Sequence, residues 1–294
     1  MSLRVTIPAE FARKPRSVDE IARWKATEFR LFLLYVGPVA LKKIIDPAVY
    51  KHFLLLSVSL FCLCSPVLCK SYCTYAGQLL KVFVQHAEQL YGREFLVYNV
   101  HSLLHLASDV EKFGHLDTIS CFPFENSLQK VKKLVRSSRL PLHQIINRLG
   151  ERIGVSRPCE SSAAGSEQRF FCSRLHENGP VPNEYLGAQQ YRLCKTSDFI
   201  LKLSDADNCI CIRDRLVGRV QNILKAGSEC MVIYEEFLEL ECLFDYPLDS
   251  KQIGIYVASR LSGKLGVCPV ASVKKCVCLP LDGKYAVIPL LHTV

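Results

Sequence analysis

No Cys-x-x-Cys pair occurs among the fifteen cysteines of this 294-residue chain, which removes the ligand spacing of zinc ribbons and of thioredoxin-like redox sites. A secretory signal is also missing: the opening MSLRVTIPAEFARKPR carries charge but no apolar core segment, so a disulfide framework is not expected. No uncharged run reaches the roughly twenty residues that a membrane-crossing helix needs. The longest apolar stretch, Phe53 to Leu68, spans sixteen residues, is interrupted by Pro66 and is bracketed by His52 and Lys70. It reads as a buried helix, and no membrane partner is expected. Internal repeats are absent as well, which excludes solenoids and propellers.

What is present marks a globular chain. Hydrophobic residues make up 49% and charged residues 22%, enough for one large or two ordinary domains. The net charge of +9 is unevenly placed, with 26 Lys and Arg against 16 Asp and Glu up to residue 195 and 11 against 12 beyond it. Between residues 127 and 152 there are seven cations and one acid, which suits weak, salt-dependent binding to phosphate backbones and would also attract anionic lipid.

Patterning divides the chain in three. Residues 1–153 read as α-rich: Trp24 to Leu34 is apolar-periodic, Gly37-Pro38 breaks it, and Ala76 to Leu90 resumes it until Gly92. Residues 154–190, with ESSAAGSEQ and HENGPVPNE, read as a flexible linker. Residues 191–294 hold short strand-like runs, NCICI, LVGRVQNIL, CMVIYEEFLEL, IGIYVA, VKKCVCL and YAVIPLL, which predict a small, mainly antiparallel sheet or barrel-like domain. The fold class is therefore α+β. Cys209 with Cys211, and Cys276 with Cys278, fall on one face of their strands. Cys62, Cys64, Cys69 and Cys73 sit in an apolar run where cysteine acts as a small buried residue, with zinc as the alternative. Asp205, Asp207 and Asp214 lack the Gly and Glu of a calcium loop and read as turn residues.

Most of the chemistry gathers between Tyr98 and Arg139. On a helical wheel of about 100° per residue, Leu103, Leu106, Val110 and Phe113 form one stripe, while His101, His105 and Asp109 line the other side. The four-residue spacing permits joint metal ligation by His101 and His105; polar-face histidines are the alternative. A second helix from Pro123 places Leu128, Val131, Leu134 and Val135 on one face and Lys132, Lys133, Arg136 and Arg139 on the other, with Glu125 on the basic side. One carboxylate among cations suits metal-assisted phosphodiester chemistry, in which an ion polarises the phosphate and the cations hold the strand. A solvated amphipathic helix is the alternative reading.

These segments also carry a resemblance. YNVHSLLHLASDVEKFGHL followed by FPFENSLQKVKKLVRSSRLPLHQ, preceded by EFRLFLLYVGPVALKKIIDPAVYKHFLLLSVSLFCL, resembles the C-terminal half of CACTA (En/Spm)-type transposases and their animal relatives over residues 20 to 155. The resemblance implies the C-terminal part of an RNase H-like DDE/D nuclease with its helical insertion, with Glu125 of PFEN as the late catalytic acid and Mg or Mn ions as cofactors of a completed site. The strands that carry the family's first two aspartates have no counterpart in this sequence, and neither Asp19 nor Asp46 ends a strand. Two-metal catalysis needs several converging carboxylates, so the chain by itself is expected to be inactive in DNA cleavage and transfer. The C-terminal pattern resembles the small β domain that follows the nuclease region in some animal relatives.

Two functional expectations follow. The first is a transposase-derived, nuclear, DNA-binding fragment with an incomplete DDE/D site. The second is a non-catalytic interaction scaffold, nuclear or cytoplasmic, whose β domain binds a protein partner. The patterning also predicts that limited proteolysis cuts first between Gly154 and Asn183.

Overall fold

Glu28 organises the entry into the first helix. Its carboxylate accepts the Lys25 amide at 2.9 Å and two bonds from the Arg16 guanidinium, at 2.7 and 2.6 Å, which caps α1 (Ala26–Leu31) and ties it to the preceding segment. In this computed structural model, which describes residues 5–155, 170–213 and 216–291, the chain forms two units: Met1–His115 with Gln168–Val294, and Leu116–Glu167.

In the first unit, Gly37-Pro38 does not break the helical run as expected. The backbone passes from α1 through a π-turn, Phe32–Val36, into α2 (Gly37–Ala40), with Pro38 in its first turn. A side chain at Gly37 would strike the Phe53 ring, at 2.6 Å. Asp46 then starts α3 (Pro47–Cys64) by accepting the amides of Ala48 and Val49, at 2.8 and 3.4 Å. By length and composition α3 could cross a membrane, yet most of it is buried inside the protein; only Pro47, Ala48 and Lys51 are exposed. It forms a hairpin with α4 (Leu68–Tyr91). Buried His52 joins the two, its ring nitrogens bonding to the Tyr91 hydroxyl at 3.0 Å and the Phe83 carbonyl at 2.8 Å while its ring stacks on Phe83.

The single helix expected from Tyr98 to Phe113 is three pieces: α5 (Tyr98–Ser102), a 3-10 turn at Leu103–His105, and α6 (Leu106–Phe113). The Ser102 hydroxyl donates to the Tyr98 carbonyl at 3.0 Å, a back-bond that bends helices. α6 then lies close on α4, where Gly77 leaves room for the Ala107 methyl and the Cys73 thiol meets the Ala107 carbonyl at 3.3 Å. The second unit holds α7 (Phe122–Lys132) and α8 (Pro141–Val155).

Among the described residues the sheet has nine strands, all pairings antiparallel: β1 (Phe171–His176), β2 (Gln189–Lys195), β3 (Ile200–Lys202), β4 (Cys209–Ile212), β5 (Leu216–Ala226), β6 (Glu229–Cys242), β7 (Tyr256–Pro269), β8 (Val273–Leu281) and β9 (Lys284–Pro289). Their order is β1-β2-β5-β4-β8-β9-β7-β6, β3 joins β2, and β6 pairs back onto β5. Strands β5, β4, β8, β9, β7 and β6 thus form a closed circuit of pairings. The six strand-like runs of the sequence correspond to β4 through β9. β1 and the start of β2 fall within the stretch expected as linker, because FCSRLH has too few core positions to alternate visibly and is ordered by pairing, Cys172 opposite Cys194 and Leu175 opposite Tyr191. Alternation does place Cys209, Cys211, Cys276 and Cys278 in one core cluster. None of the fourteen described cysteines is joined in a disulfide.

The N-terminal segment docks into the sheet through Lys275 of β8. Its ammonium, fully buried, donates to Asp207 Oδ1 at 2.6 Å, to both Glu10 oxygens at 2.8 and 2.7 Å, and to the Ile200 carbonyl at 2.6 Å. Asp207 also accepts the Ala9 amide at 2.9 Å and pairs with Lys202 at 3.2 Å, and Glu10 accepts the Ile200 amide at 2.8 Å. Burial pushes the Asp207 carboxyl up, but Lys275, the Ala9 amide and Lys202 together hold the group below its usual range. Asp207 is therefore part of this network and not a solvated turn residue.

Lys275→Met should destabilise the protein by about 3–5 kcal/mol, since it takes the buried cation from Glu10 and leaves Asp207 with Lys202 alone; equal urea midpoints for wild type and variant would show the network to be idle. The Arg16 guanidinium, against the opposing push of burial, holds the Glu28 carboxyl down at about 2, from an ordinary 4.5. A depressed folded pKa stabilises above the unfolded value and is lost as pH falls through the folded one. Urea midpoints should therefore drop between pH 4.5 and about 2, and Glu28→Gln should flatten that part of the profile.

Candidate nucleic-acid interface

The second unit turns on Gln144. Its side-chain oxygen accepts the Arg136 amide at 3.0 Å, and its amide nitrogen donates to the Ser137 carbonyl at 3.1 Å, the Ser137 hydroxyl at 2.9 Å and the Arg139 carbonyl at 2.5 Å. Arg148 donates to the Leu134 carbonyl at 2.7 Å. One turn of α8 thus satisfies the backbone of the loop that leaves α7, and Leu134 is buried beneath it. Pro141 occupies the first position of α8, where its missing N–H is no loss.

This arrangement changes how the basic residues are presented. Lys132, Lys133, Arg136 and Arg139 do not share one helix face, because α7 ends at Lys132. The side chains of α8 compete for the backbone groups that a continuing helix would have used, and they win. All four cations are exposed, and none forms an ion pair among the described residues. They stand on a helix end and a pinned loop. Of the expected apolar stripe, Leu134 is buried and Val131 and Val135 are half-buried, while Leu128 is exposed.

Glu125 lies in the first half of α7; its side chain lies outside the described residues, as does Asp214. His101 and His105 belong to the other unit, on α5 and the 3-10 turn, both exposed, with ring centroids 5.4 Å apart. Asp109 follows on α6, half-buried. Among the described residues, no group of three carboxylates or histidines closes on one point. They supply no cage for Mg or Mn. Cys62, Cys64, Cys69 and Cys73 likewise do not converge as ligands. The group that does converge, Cys172, Cys194 and Cys230, has no sequence signature, since its members come from three strands separated by 22 and 36 residues.

Gln144→Ala should release the loop without unfolding α7 or α8. The Arg136 amide, which donates to Gln144, is expected to exchange with solvent roughly two- to tenfold faster, the scale of one net hydrogen bond. Unchanged protection at Arg136 would show that the loop holds its shape without Gln144.

Residues 175–290, from within β1 to the end of the sheet, match the model of a family described as a domain of unknown function, DUF8592. No curated protein and no solved structure matches the chain.

Proposed function

We propose that this chain is a transposase-derived protein that binds nucleic acid through the loop between α7 and α8 and has no nuclease activity of its own. The observation that carries the reading is the set of four exposed cations, without ion pairs among the described residues, on the end of α7 and a loop held in place by Gln144. A fixed loop loses little conformational freedom on binding, and cations without internal partners exchange only water and counterions for phosphates. The resemblance of residues 20 to 155 to CACTA-type transposases supports the choice of DNA and a nuclear site of action. The incomplete carboxylate set supports the absence of cleavage, with Glu125 as a vestige of the ancestral site.

A second reading, an interaction scaffold, is favoured by one feature of the sheet. Among the described residues β1 pairs only with β2, and its other edge displays Phe171 and Leu175. An extended peptide could add to it by backbone hydrogen bonds, with alternate side chains meeting the two apolar residues. The circuit of six paired strands would then serve as a barrel-like support.

Replacement of Lys132, Lys133, Arg136 and Arg139 by Glu should abolish duplex DNA binding at low ionic strength while leaving the urea midpoint in place. Wild-type affinity should fall steeply with salt, and the log-log slope of single charge variants should shrink by about one per lost phosphate contact. Binding that survives the quadruple replacement would move the site elsewhere. Strand cleavage by the wild-type chain with Mg or Mn, lost in Glu125→Gln, would overturn the claim of inactivity.

A further inference from the structure

Buried free cysteine is commonly no more than a small apolar residue, and Cys268, in the same core as Cys194 and Cys230, is adequately described that way. Three of the thiols are arranged differently. Cys172 of β1 and Cys194 of β2 are direct register partners. Cys230, at the start of β6, comes from a strand that, among the described residues, is not paired with either of theirs; β2 and β6 both pair with β5. The Cys172 and Cys230 sulfurs are 3.7 Å apart, those of Cys230 and Cys194 are 3.6 Å apart, and all three lie within 4.8 Å of one another.

Those separations have a chemical meaning. Four sulfurs at the zinc–thiolate distance of about 2.3 Å define a tetrahedron whose edge is about 3.8 Å. Two of the sulfur pairs already sit at that edge. The three sulfurs therefore need only small shifts to surround a metal ion, and the strand pairing has already met the entropic cost of gathering them. An all-sulfur donor set selects soft d10 cations, zinc or copper(I), over magnesium or manganese. Access is graded. Cys194 and Cys230 are 0% and 2% exposed, whereas Cys172 is only half-buried. Cys230 also lines a cavity of about 330 Å³ bordered by Phe170, Asp198, Phe199 and Glu229.

We infer that Cys172, Cys194 and Cys230 form a three-thiolate site for a soft d10 metal ion, with zinc as the first candidate. Its fourth position is left to water or to a donor entering from the cavity. Such a site clips the outermost strand, β1, to β2 and β6, and so fastens the edge of the sheet by chemistry that hydrophobic packing alone does not supply. It is independent of the α7–α8 loop, so DNA binding and metal binding fail or succeed separately.

The test uses the full chain, purified reduced, stripped of metal and titrated without oxygen. Cobalt(II) should bind with one equivalent per chain, give a thiolate-to-metal charge-transfer band, and be displaced by zinc. The exposed histidines would bind cobalt without that band. Cys172→Ser keeps the volume of its half-buried side chain and should lose the band. Its zinc affinity should drop by more than the roughly 10–100-fold that loss of a mere supporting partner costs. Cys268→Ala and Cys278→Ser should keep both. In the wild type, zinc should also slow alkylation of Cys172, a readout that does not depend on any variant folding. Absence of the band, its survival in Cys172→Ser, its loss in Cys278→Ser, or alkylation indifferent to zinc would each overturn the assignment. So would a Cys172–Cys230 disulfide in the native protein that, once reduced, takes up no metal.

Discussion

A lysine ammonium with no access to water has to meet protein oxygen on every side, and Lys275 is in that position. Bare burial of such a charge would cost several kcal/mol even after relaxation, so the elements that supply its partners must be in place together. Those elements are Glu10 from the N-terminal segment, Asp207 from the turn between β3 and β4, and the Ile200 carbonyl of β3. Lys202 pairs with Asp207 from the strand side, and the Lys14 ammonium also interacts with both carboxylates. The result is a polar lock, with the N-terminal segment as its bolt. Further ties join the helical part to the sheet within the same unit: the Tyr75 hydroxyl to the Pro247 carbonyl at 2.7 Å, and the Leu291 amide to the Tyr35 hydroxyl at 3.0 Å.

That lock explains why contacts divide the chain differently from its patterning. The patterning changes from helical to period-two near residue 154, whereas contacts group the chain up to His115 with the sheet and set Leu116–Glu167 apart. Composition reports which residues are exposed. It does not report which buried charge in one segment answers a buried charge in another 265 residues away.

Much of this was nevertheless legible. The six strands from Cys209 onward follow from alternation, and so does the shared core position of Cys209, Cys211, Cys276 and Cys278. The same alternation contains the clue to Lys275: in VKKCVCL it falls on the side of Val273 and Val277, both buried, so an inward-facing charge was already written there and needed a partner. Other features could not be read. β1 exists by virtue of its neighbour, the end of α7 is decided by Gln144 twelve residues beyond Lys132, and the three converging thiols acquire their proximity only when β6 meets the curled edge of the sheet. Each depends on tertiary pairing, for which local periodicity carries no signal.

The functional account rests on the difference between buried and free charge. Lys275, Glu10 and Asp207 spend their charge within the fold, whereas Lys132, Lys133, Arg136 and Arg139 spend none of theirs on ion pairs among the described residues. The most direct measurement is lysine- and arginine-selective chemical footprinting of the full chain with and without duplex DNA. The account predicts protection at Lys132, Lys133, Arg136 and Arg139, with unchanged labelling at Lys43, an exposed lysine already paired with Asp282. Labelling of the four residues that is indifferent to saturating DNA, or protection confined to the sheet, would contradict it.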